Sequence, residues 1–223
     1  MNNKPIFAIL ILWLMSATCH ARDSSIALTD KAFDKHRDSK GVLLLHVNWG
    51  RQWNCHGYEN AQLQKLAFQL MPAGEGTSAE EISLDIPSRL FAKSTFQRYA
   101  LLVSPGEYAL SGFRLKLAGS ASGLRIYEAD AAHLIEGGKP KGGSFRITPG
   151  EIVYIGHFGV DCDGEPSPWR FYIEDPADFS RYGAEFHREF PSTGSVPVTF
   201  RLFETDTIGK PYSLPAAPAD AAH

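Results

Sequence analysis

One stretch of the chain decides its fold class, Tyr108-Ala109-Leu110-Ser111-Gly112-Phe113-Arg114-Leu115-Lys116-Leu117. Its apolar residues alternate with small or charged residues, which is the pattern of a β-strand that buries one face. The phase of this alternation changes between Leu110 and Phe113, across Gly112. A β-bulge at Gly112 would keep the apolar side chains on one face along the whole stretch. The stretch therefore predicts a long strand with a bulge at Gly112.

Strand signals continue from Gly41 to the last quarter of the chain. Short runs of β-branched and aromatic residues are separated by Gly, Pro and Ser clusters, at the spacing typical of all-β domains. In 169–174 the alternation predicts that Trp169, Phe171 and Ile173 lie on a buried face. The predicted strands are 42–49, 64–71, 97–103, 107–117, 123–128, 144–147, 151–158, 169–174 and 196–204. We therefore predict a mainly β fold, an antiparallel β-sandwich.

A single helix interrupts the predicted strands. Asp175 can cap it, Pro176 suits its first position, and Asp178 lies in its first turn, where a negative charge favours the helix dipole. Aromatic residues then follow at spacings of three and four, and they are Phe179, Tyr182, Phe186 and Phe190. This stripe predicts a short amphipathic helix near 176–190 that packs against the core.

The first 21 residues have the order of a secretory signal peptide. Lys4 precedes an apolar run over 6–15, and small residues follow as far as Ala21. The run is about half of the ~20 residues that a membrane-spanning helix needs. Cleavage after Ala21 predicts a periplasmic or secreted protein. Lipidation of Cys19 is the alternative, and it would tether the protein to a membrane.

The rest of the chain divides into three parts. We expect a polar lead-in over 22–40, one β-sandwich domain over 41–210, and a disordered tail over 211–223 that is rich in Pro and Ala. Without Lys4, 21 Lys and Arg residues stand against 25 Asp and Glu residues, a net charge of −4 with His neutral. This balance argues against a nucleic-acid partner. No segment after the signal peptide is apolar enough to predict a membrane span.

The cysteines fit an exported protein. If Cys19 leaves with the signal peptide, Cys55 and Cys162 are the remaining pair. An export signal places them in an oxidising compartment, where thiols usually pair. We therefore expect a Cys55–Cys162 disulfide, and two separate free thiols are the alternative.

Two strand starts repeat one motif, Ser104-Pro105-Gly106-Glu107-Tyr108 and Thr148-Pro149-Gly150-Glu151-Ile152. Pro-Gly is a turn signal, because Pro presets φ at one turn position and Gly accepts a positive φ at the next. Over residues 97–174 these segments resemble the P-G-x-Y-x-L hairpins of transthyretin-like and carboxypeptidase-regulatory-like β-sandwiches, and of related uncharacterised exported bacterial proteins. The resemblance implies an accessory or binding module without catalysis of its own, and it carries no functional residue over to this chain.

No catalytic motif is complete in the sequence. Residues 119–123 read Gly-Ser-Ala-Ser-Gly, with Ala121 where a hydrolase elbow needs its serine nucleophile, so we interpret them as a loop. The histidines lack paired-ligand spacing, and no cofactor is predicted. The best candidates for a site assembled from distant residues are His46, His56, His157 and Asp161. A hydrolase or metal-dependent enzyme built on them is the alternative function.

Aromatic residues cluster near the predicted disulfide. Trp49, Trp53 and Tyr58 lie near the first cysteine of the pair, and Trp169 follows the second one. Such a set is either the packing around a buried disulfide or a stacking surface for a sugar ring or a protein partner. Our leading hypothesis is a non-catalytic envelope module that binds a protein or glycan through these four residues. The oligomeric state is left open.

Overall fold

The computed structural model describes residues 22, 23, 25–71, 80–86, 96–119 and 123–201, and in these residues two β-sheets pack face to face. The strands, in chain order, are β1 (Arg22–Asp23), β2 (Ile26–Ala27), β3 (Gly41–Asn48), β4 (Arg51–Cys55), β5 (Tyr58–Met71), β6 (Glu80–Asp85), β7 (Phe96–Val103), β8 (Gly106–Gly119), β9 (Gly123–Ala129), β10 (Ile135–Glu136), β11 (Lys139–Pro140), β12 (Ser144–Ile147), β13 (Ile152–Asp161), β14 (Ser167–Phe171) and β15 (Val198–Phe200). The helices are α1 (Asp30–His36), α2 (Ala131–Leu134) and α3 (Pro176–Glu189), and a 3-10 turn follows at Pro191–Thr193. The predicted mainly β fold with a short helix near 176–190 is confirmed.

Both sheets contain parallel as well as antiparallel pairs, since β1 runs parallel to β6 in sheet 1. Sheet 1 has the order β1-β6-β5-β8-β12, with β4 also paired to β5 and β9 also paired to β8. Sheet 2 has the order β14-β13-β3-β7-β2, with β15 also paired to β13. In sheet 2, β13 runs parallel to both β3 and β15, so this sheet is mixed rather than purely antiparallel. Parallel neighbours need a long connection, and the whole of sheet 1 apart from β1 lies between β3 and β13 in the chain.

The inner faces of the sheets form one apolar core. Phe68 in β5 contacts Phe145 of its own sheet, with ring centroids 5.6 Å apart, and Phe158 of sheet 2 at 5.8 Å. All three rings are almost completely buried. Burial of each phenylalanine contributes about 1.5–3 kcal/mol relative to an exposed position. Loss of this contact would therefore weaken the attachment of one sheet to the other.

The predicted bulge near Gly112 is present. Ala67 is opposite Gly112 in the β5–β8 ladder but Phe68 is opposite Leu110, so Ser111 is the extra residue. Because of it, Leu110 and Phe113 both lie in the core although they are three positions apart.

A second bulge interrupts β13 in sheet 2. Tyr154 is opposite Leu44 of β3, but the next paired residues are His157 and His46, which leaves one extra residue in β13. Gly156 lies at the shift with φ +112°, a conformation that L side chains rarely adopt. The bulge therefore places Tyr154 and His157, three residues apart, on the same outer face of sheet 2.

Helix α3 covers part of that outer face. The Asp175 carboxylate accepts hydrogen bonds from the backbone N–H groups of Ala177 and Asp178, which caps the first turn as predicted. Tyr182 and Phe186 lie on the buried side of the helix. The Tyr182 ring packs on Tyr154 at 5.2 Å, which attaches the helix to β13.

The predicted polar lead-in over 22–40 is part of the folded core. It forms β2 and α1, and Leu28 and Phe33 are 6% and 1% exposed. Thr29 caps α1, since its hydroxyl accepts a hydrogen bond from the backbone N–H of Ala32. Two isolated apolar residues give no periodic pattern, which is why the sequence did not predict this packing.

The strand predicted at 169–174 also differs in the structure. It ends at Phe171, and Tyr172, predicted on the outward face, is only 2% exposed. Trp169 and Phe171, predicted on a buried face, are only half-buried and lie on the outer face of sheet 2. Arg170 is instead opposite the core residue Phe158, so this prediction was wrong. After Phe171 the chain turns toward α3. Tyr172 then packs against Tyr154 and Phe200.

A disulfide joins Cys55 to Cys162, as predicted. Cys55 ends β4 in sheet 1, whereas Cys162 directly follows β13 in sheet 2. The bond therefore ties one sheet to the other at the end of the sandwich that carries the β4–β5 hairpin.

Several predictions from the sequence lie outside the described residues. They are the signal peptide over 1–21 with Cys19, the centre of the Gly-Ser-Ala-Ser-Gly loop, and the tail over 211–223. Among the helices that the structure describes, none has the length and apolar character needed to cross a membrane.

The bulge at Gly156 generates a stability prediction. A Cβ atom at this position would lie 2.9 Å from the Phe171 carbonyl oxygen and 3.0 Å from the Tyr172 ring, on a backbone with positive φ. We expect Gly156→Ala to lower the free energy of unfolding by about 2 kcal/mol. Urea unfolding at neutral pH measures this loss.

Gly164→Ala is the matched control, because a Cβ atom there has no neighbour within 4 Å. We expect it to change stability by less than about 0.5 kcal/mol. Equal stabilities of the two variants would contradict the role of the Gly156 bulge.

Candidate functional site

The structure places the three candidate tryptophans in three different environments. Trp49 is 5% exposed in the core, and its indole N–H donates a hydrogen bond to the Tyr99 hydroxyl at 2.8 Å. Trp169 is half-buried on the outer face of sheet 2, where its ring stacks on Phe171 at 4.6 Å. Trp53 in β4 is 63% exposed. Among the three, Trp53 is the one whose ring is free to contact a partner.

Trp53 shares the outer face of sheet 1 with Leu124. Trp53 is opposite Asn60, Asn60 is opposite Ala118, and Ala118 is opposite Leu124, so the four residues form one row across the sheet. Leu124 is 59% exposed. Neighbouring strands are about 4.8 Å apart, so this row extends roughly 14 Å across β4, β5, β8 and β9.

A second row lies beside the first one on the same face. It runs from Arg51 through Gln62 and Lys116 to Ile126, which is 51% exposed. We call the surface formed by Arg51, Trp53, Lys116, Leu124 and Ile126 the Trp53 face. It combines three exposed apolar side chains with two cationic ones.

In the next row, each positive residue has an acidic residue opposite it. Arg114 and Glu128 form an ion pair with two hydrogen bonds of 2.8 and 3.1 Å, and Lys65 is opposite Asp85. Lys116, in contrast, has Gln62 and Ile126 as its cross-strand neighbours. The Trp53 face is therefore apolar and basic, while its margin carries paired charges.

Tyr58, the fourth aromatic candidate, lies next to β9. It is half-buried at the start of β5, and its hydroxyl accepts a hydrogen bond from Arg125 at 3.5 Å. This contact connects the β4–β5 hairpin to the opposite edge of sheet 1. The structure thus brings two candidates, Trp53 and Tyr58, to the β4–β5 hairpin, and adds Leu124 and Ile126, which sequence reasoning had not identified.

Two of the candidate histidines meet on the outer face of sheet 2. His157 is opposite His46 after the Gly156 bulge, and the two ring centroids are 4.2 Å apart. A hydrogen bond of 2.6 Å joins the Tyr154 hydroxyl to Nδ1 of His157. Since the backbone N–H of Ile173 donates to the same hydroxyl at 3.3 Å, the tyrosine is suited to donate to the imidazole.

Aromatic rings enclose this histidine pair. Phe171 stacks on His157 with 4.8 Å between centroids, and Tyr182 of α3 lies 5.5 Å from His46. Nε2 of His46 and the Tyr182 hydroxyl are buried and have no hydrogen-bond partner in the part of the chain that the structure describes.

Burial keeps both imidazoles neutral at physiological pH. Desolvation, followed by the charges of His157 and Arg98, lowers the pKa of His46 to about 3. Desolvation also lowers the pKa of His157 to about 4. In the same surroundings, burial raises the pKa of Tyr182. The cluster is therefore an uncharged, tightly packed contact between sheet 2 and α3.

The other two candidates for an assembled site lie elsewhere. His56 is exposed in the turn between β4 and β5, and Asp161 accepts a hydrogen bond from the backbone N–H of Asp163 at 2.9 Å, within its own turn. Across the described segments, no three His, Cys, Asp or Glu side chains are grouped to hold a metal ion. The structure thus brings together two of the four candidates, His46 and His157. The enzyme hypothesis stays a prediction.

A groove of about 700 Å³ runs beside the start of α3. Its rim carries several acidic residues, but Asp175 caps the helix and Asp178 forms an ion pair with Arg181 at 2.5 Å. Those two carboxylates therefore stabilise the helix, and the floor of the groove consists of the Phe171 and Tyr182 rings.

The histidine pair generates a pH prediction. Both imidazoles have a folded-state pKa below the ordinary value of 6.5, so the unfolded chain binds more protons. Stability is then fully present above about pH 6.5 and is lost as the pH falls toward 4. Between pH 7 and pH 5 we expect the free energy of unfolding to fall by about 2–4 kcal/mol, as measured by urea unfolding.

Replacement of one histidine separates this contribution from that of the carboxylates. His46→Gln should remove about half of the pH-dependent loss. His56→Asn is the control, because His56 is exposed and Asn tolerates its positive φ. A His46→Gln protein with the same pH dependence as the wild type would contradict the assignment.

Comparison with known proteins adds no relative. No family model matches the chain, and neither a curated protein nor a solved structure is significantly similar to it. The resemblance to transthyretin-like sandwiches therefore rests on the Pro-Gly-Glu strand starts alone.

Proposed function

We propose that this protein is an exported, non-catalytic binding module that captures a protein partner of the cell envelope on the Trp53 face. The observation that carries the proposal is the alignment of Trp53, Leu124 and Ile126, each more than half exposed, on adjacent rows of one sheet face. Scattered exposed apolar side chains are common, but here three of them lie on one face, Trp53 on β4 and Leu124 and Ile126 on β9, and such grouping is typical of interaction sites.

The composition of the face favours a protein over a glycan. Sugar-binding surfaces depend on aromatic rings, whereas the Trp53 face has one indole and two aliphatic side chains. Trp and Arg are also enriched at the energetic centres of protein interfaces. Lys116 favours a partner that presents acidic residues around an apolar centre.

Export supports the choice of compartment. Residues 1–21 have the order of a signal peptide, and a disulfide joins the sheets, as is usual in oxidising compartments. Periplasmic or secreted protein is the proposed location, and attachment through lipidated Cys19 is the alternative.

Expression of the full chain in a bacterial host tests the export proposal. We expect the protein in the periplasmic or extracellular fraction, with Arg22 as its first residue by intact-mass analysis. Cys55 and Cys162 should resist alkylation until they are reduced. A diacylglyceryl mass on Cys19 would establish the lipoprotein alternative, and an uncleaved chain with free thiols in the cytoplasm would contradict export.

Binding is tested with a photo-crosslinker introduced at Lys116, next to the apolar rows. The crosslinked envelope protein is identified and purified, and its affinity is measured by calorimetry. We expect Trp53→Ala to weaken binding by about tenfold or more, as at interface hot spots. Lys116→Glu should slow association, and raised salt should weaken binding to the wild type.

Ile26→Ala is the matched control, because Ile26 is an exposed aliphatic residue on β2 of sheet 2. Its affinity should stay within about twofold of the wild type. An affinity that changes in neither Trp53→Ala nor Lys116→Glu would exclude the Trp53 face as the binding surface.

A further inference from the structure

Among the described strands, β9 pairs along one edge only, which leaves its second edge on sheet 1 without a described neighbour. It is hydrogen-bonded to β8 along its whole length, from Gly119 opposite Gly123 to Phe113 opposite Ala129. No other described strand pairs with it. Its outer edge thus presents a row of backbone N–H and C=O groups, which is a ready template for another strand.

The side chains of β9 give this edge little protection, since Arg125 is the one charge on its inner face. All six residues from Gly123 to Glu128 are exposed, and the exposed apolar ones lie on both faces of the strand. Leu124 and Ile126 are on the outer face, whereas Tyr127, 52% exposed, is on the inner face, where it contacts Phe113. Natural edge strands usually carry inward-pointing charges, proline or a bulge. β9 contains no proline, and its described pairing with β8 has no bulge.

From this edge we infer that the protein forms a symmetric dimer in which β9 of one copy pairs antiparallel with β9 of a second copy. An antiparallel pair of identical edge strands has its two-fold axis perpendicular to the sheet, so each residue keeps its face. With the axis at Ile126, all seven residues of β9 are paired, and Gly123 is opposite Ala129. This pairing provides roughly six to eight backbone hydrogen bonds.

The side chains that face each other in this register are compatible. Arg125 is opposite Tyr127 of the second copy, on the inner face, where a guanidinium and an aromatic ring attract each other. On the outer face, Leu124 is opposite Glu128, so no like charges meet. An axis at Arg125 would place the two guanidinium groups opposite each other, and an axis at Tyr127 would pair only five residues. The Ile126 axis is therefore the favoured one.

This inference does not depend on the Trp53 face having a partner. The dimer interface uses the backbone edge of β9 and the side chains along it, whereas the proposed partner contacts the outer face from above, so Leu124 and Ile126 border both. In the dimer the two Trp53 faces would lie on the same side of one continuous sheet, with Ile126 of each copy at the centre.

Sedimentation equilibrium of the exported protein tests the dimer and its register. We expect the wild type to be dimeric at about 100 μM. Tyr127→Arg should weaken dimerisation by about tenfold or more, because it places a second cation opposite each Arg125. The double variant Arg125→Glu with Tyr127→Arg should restore the dimer, since opposite charges then face each other. Circular dichroism and urea unfolding establish that each variant is folded.

Trp53→Ala is the control that separates the two proposals, and it should leave the dimer unchanged. A wild type that stays monomeric would overturn the inference, and the free edge would then be available to an extended segment of another protein. A dimer that Tyr127→Arg does not weaken, or that the double variant does not restore, would also overturn this pairing.

Discussion

The side-chain alternation of the long strands, with its period of two, is the constraint on which the rest of this structure depends. A slip of one residue would move every inward side chain of a strand to the opposite face. β8 and β13 are long enough to need corrections, and the extra residues at Ser111 and beside Gly156 supply them. These corrections keep Phe68 and Phe158 in contact between the sheets. The alternation that the core fixes along each strand therefore also determines which residues lie on the outer surfaces of the sandwich.

The two outer faces of the sandwich differ in how far they are covered. The outer face of sheet 2 is covered by α3, and its polar atoms are taken into a neutral cluster around His46 and His157 that adds little chemistry at neutral pH. In the described part of the chain, no helix covers the outer face of sheet 1 at β9, and Leu124 and Ile126 are exposed there. This difference is the reason why we propose a binding function for the outer face of sheet 1.

Much of the fold could be predicted from the sequence because its signals are local. Alternation with a glycine at the phase change indicated the β8 bulge, and Asp175 with an aromatic stripe indicated α3. The burial of Phe33 and Tyr172 depends on tertiary contacts that no local pattern encodes. For the site, His46 and His157 were named, but their pairing results from strand order. Leu124 and Ile126 alternate like the residues of any half-buried strand, and their exposure follows from the register that places them on the outer face of sheet 1.

The disulfide has a consequence for the timing of maturation. Cys55 follows Trp53 by two residues, and its bond to Cys162 fixes the end of the hairpin that carries the indole to the opposite sheet. A newly made chain with both thiols reduced lacks this attachment. If the protein is exported as we propose, oxidation after transport would fix the hairpin, and the Trp53 face would take its final form in the compartment of the proposed partner. The disulfide would then distinguish transported chains from chains that are still in the cytoplasm.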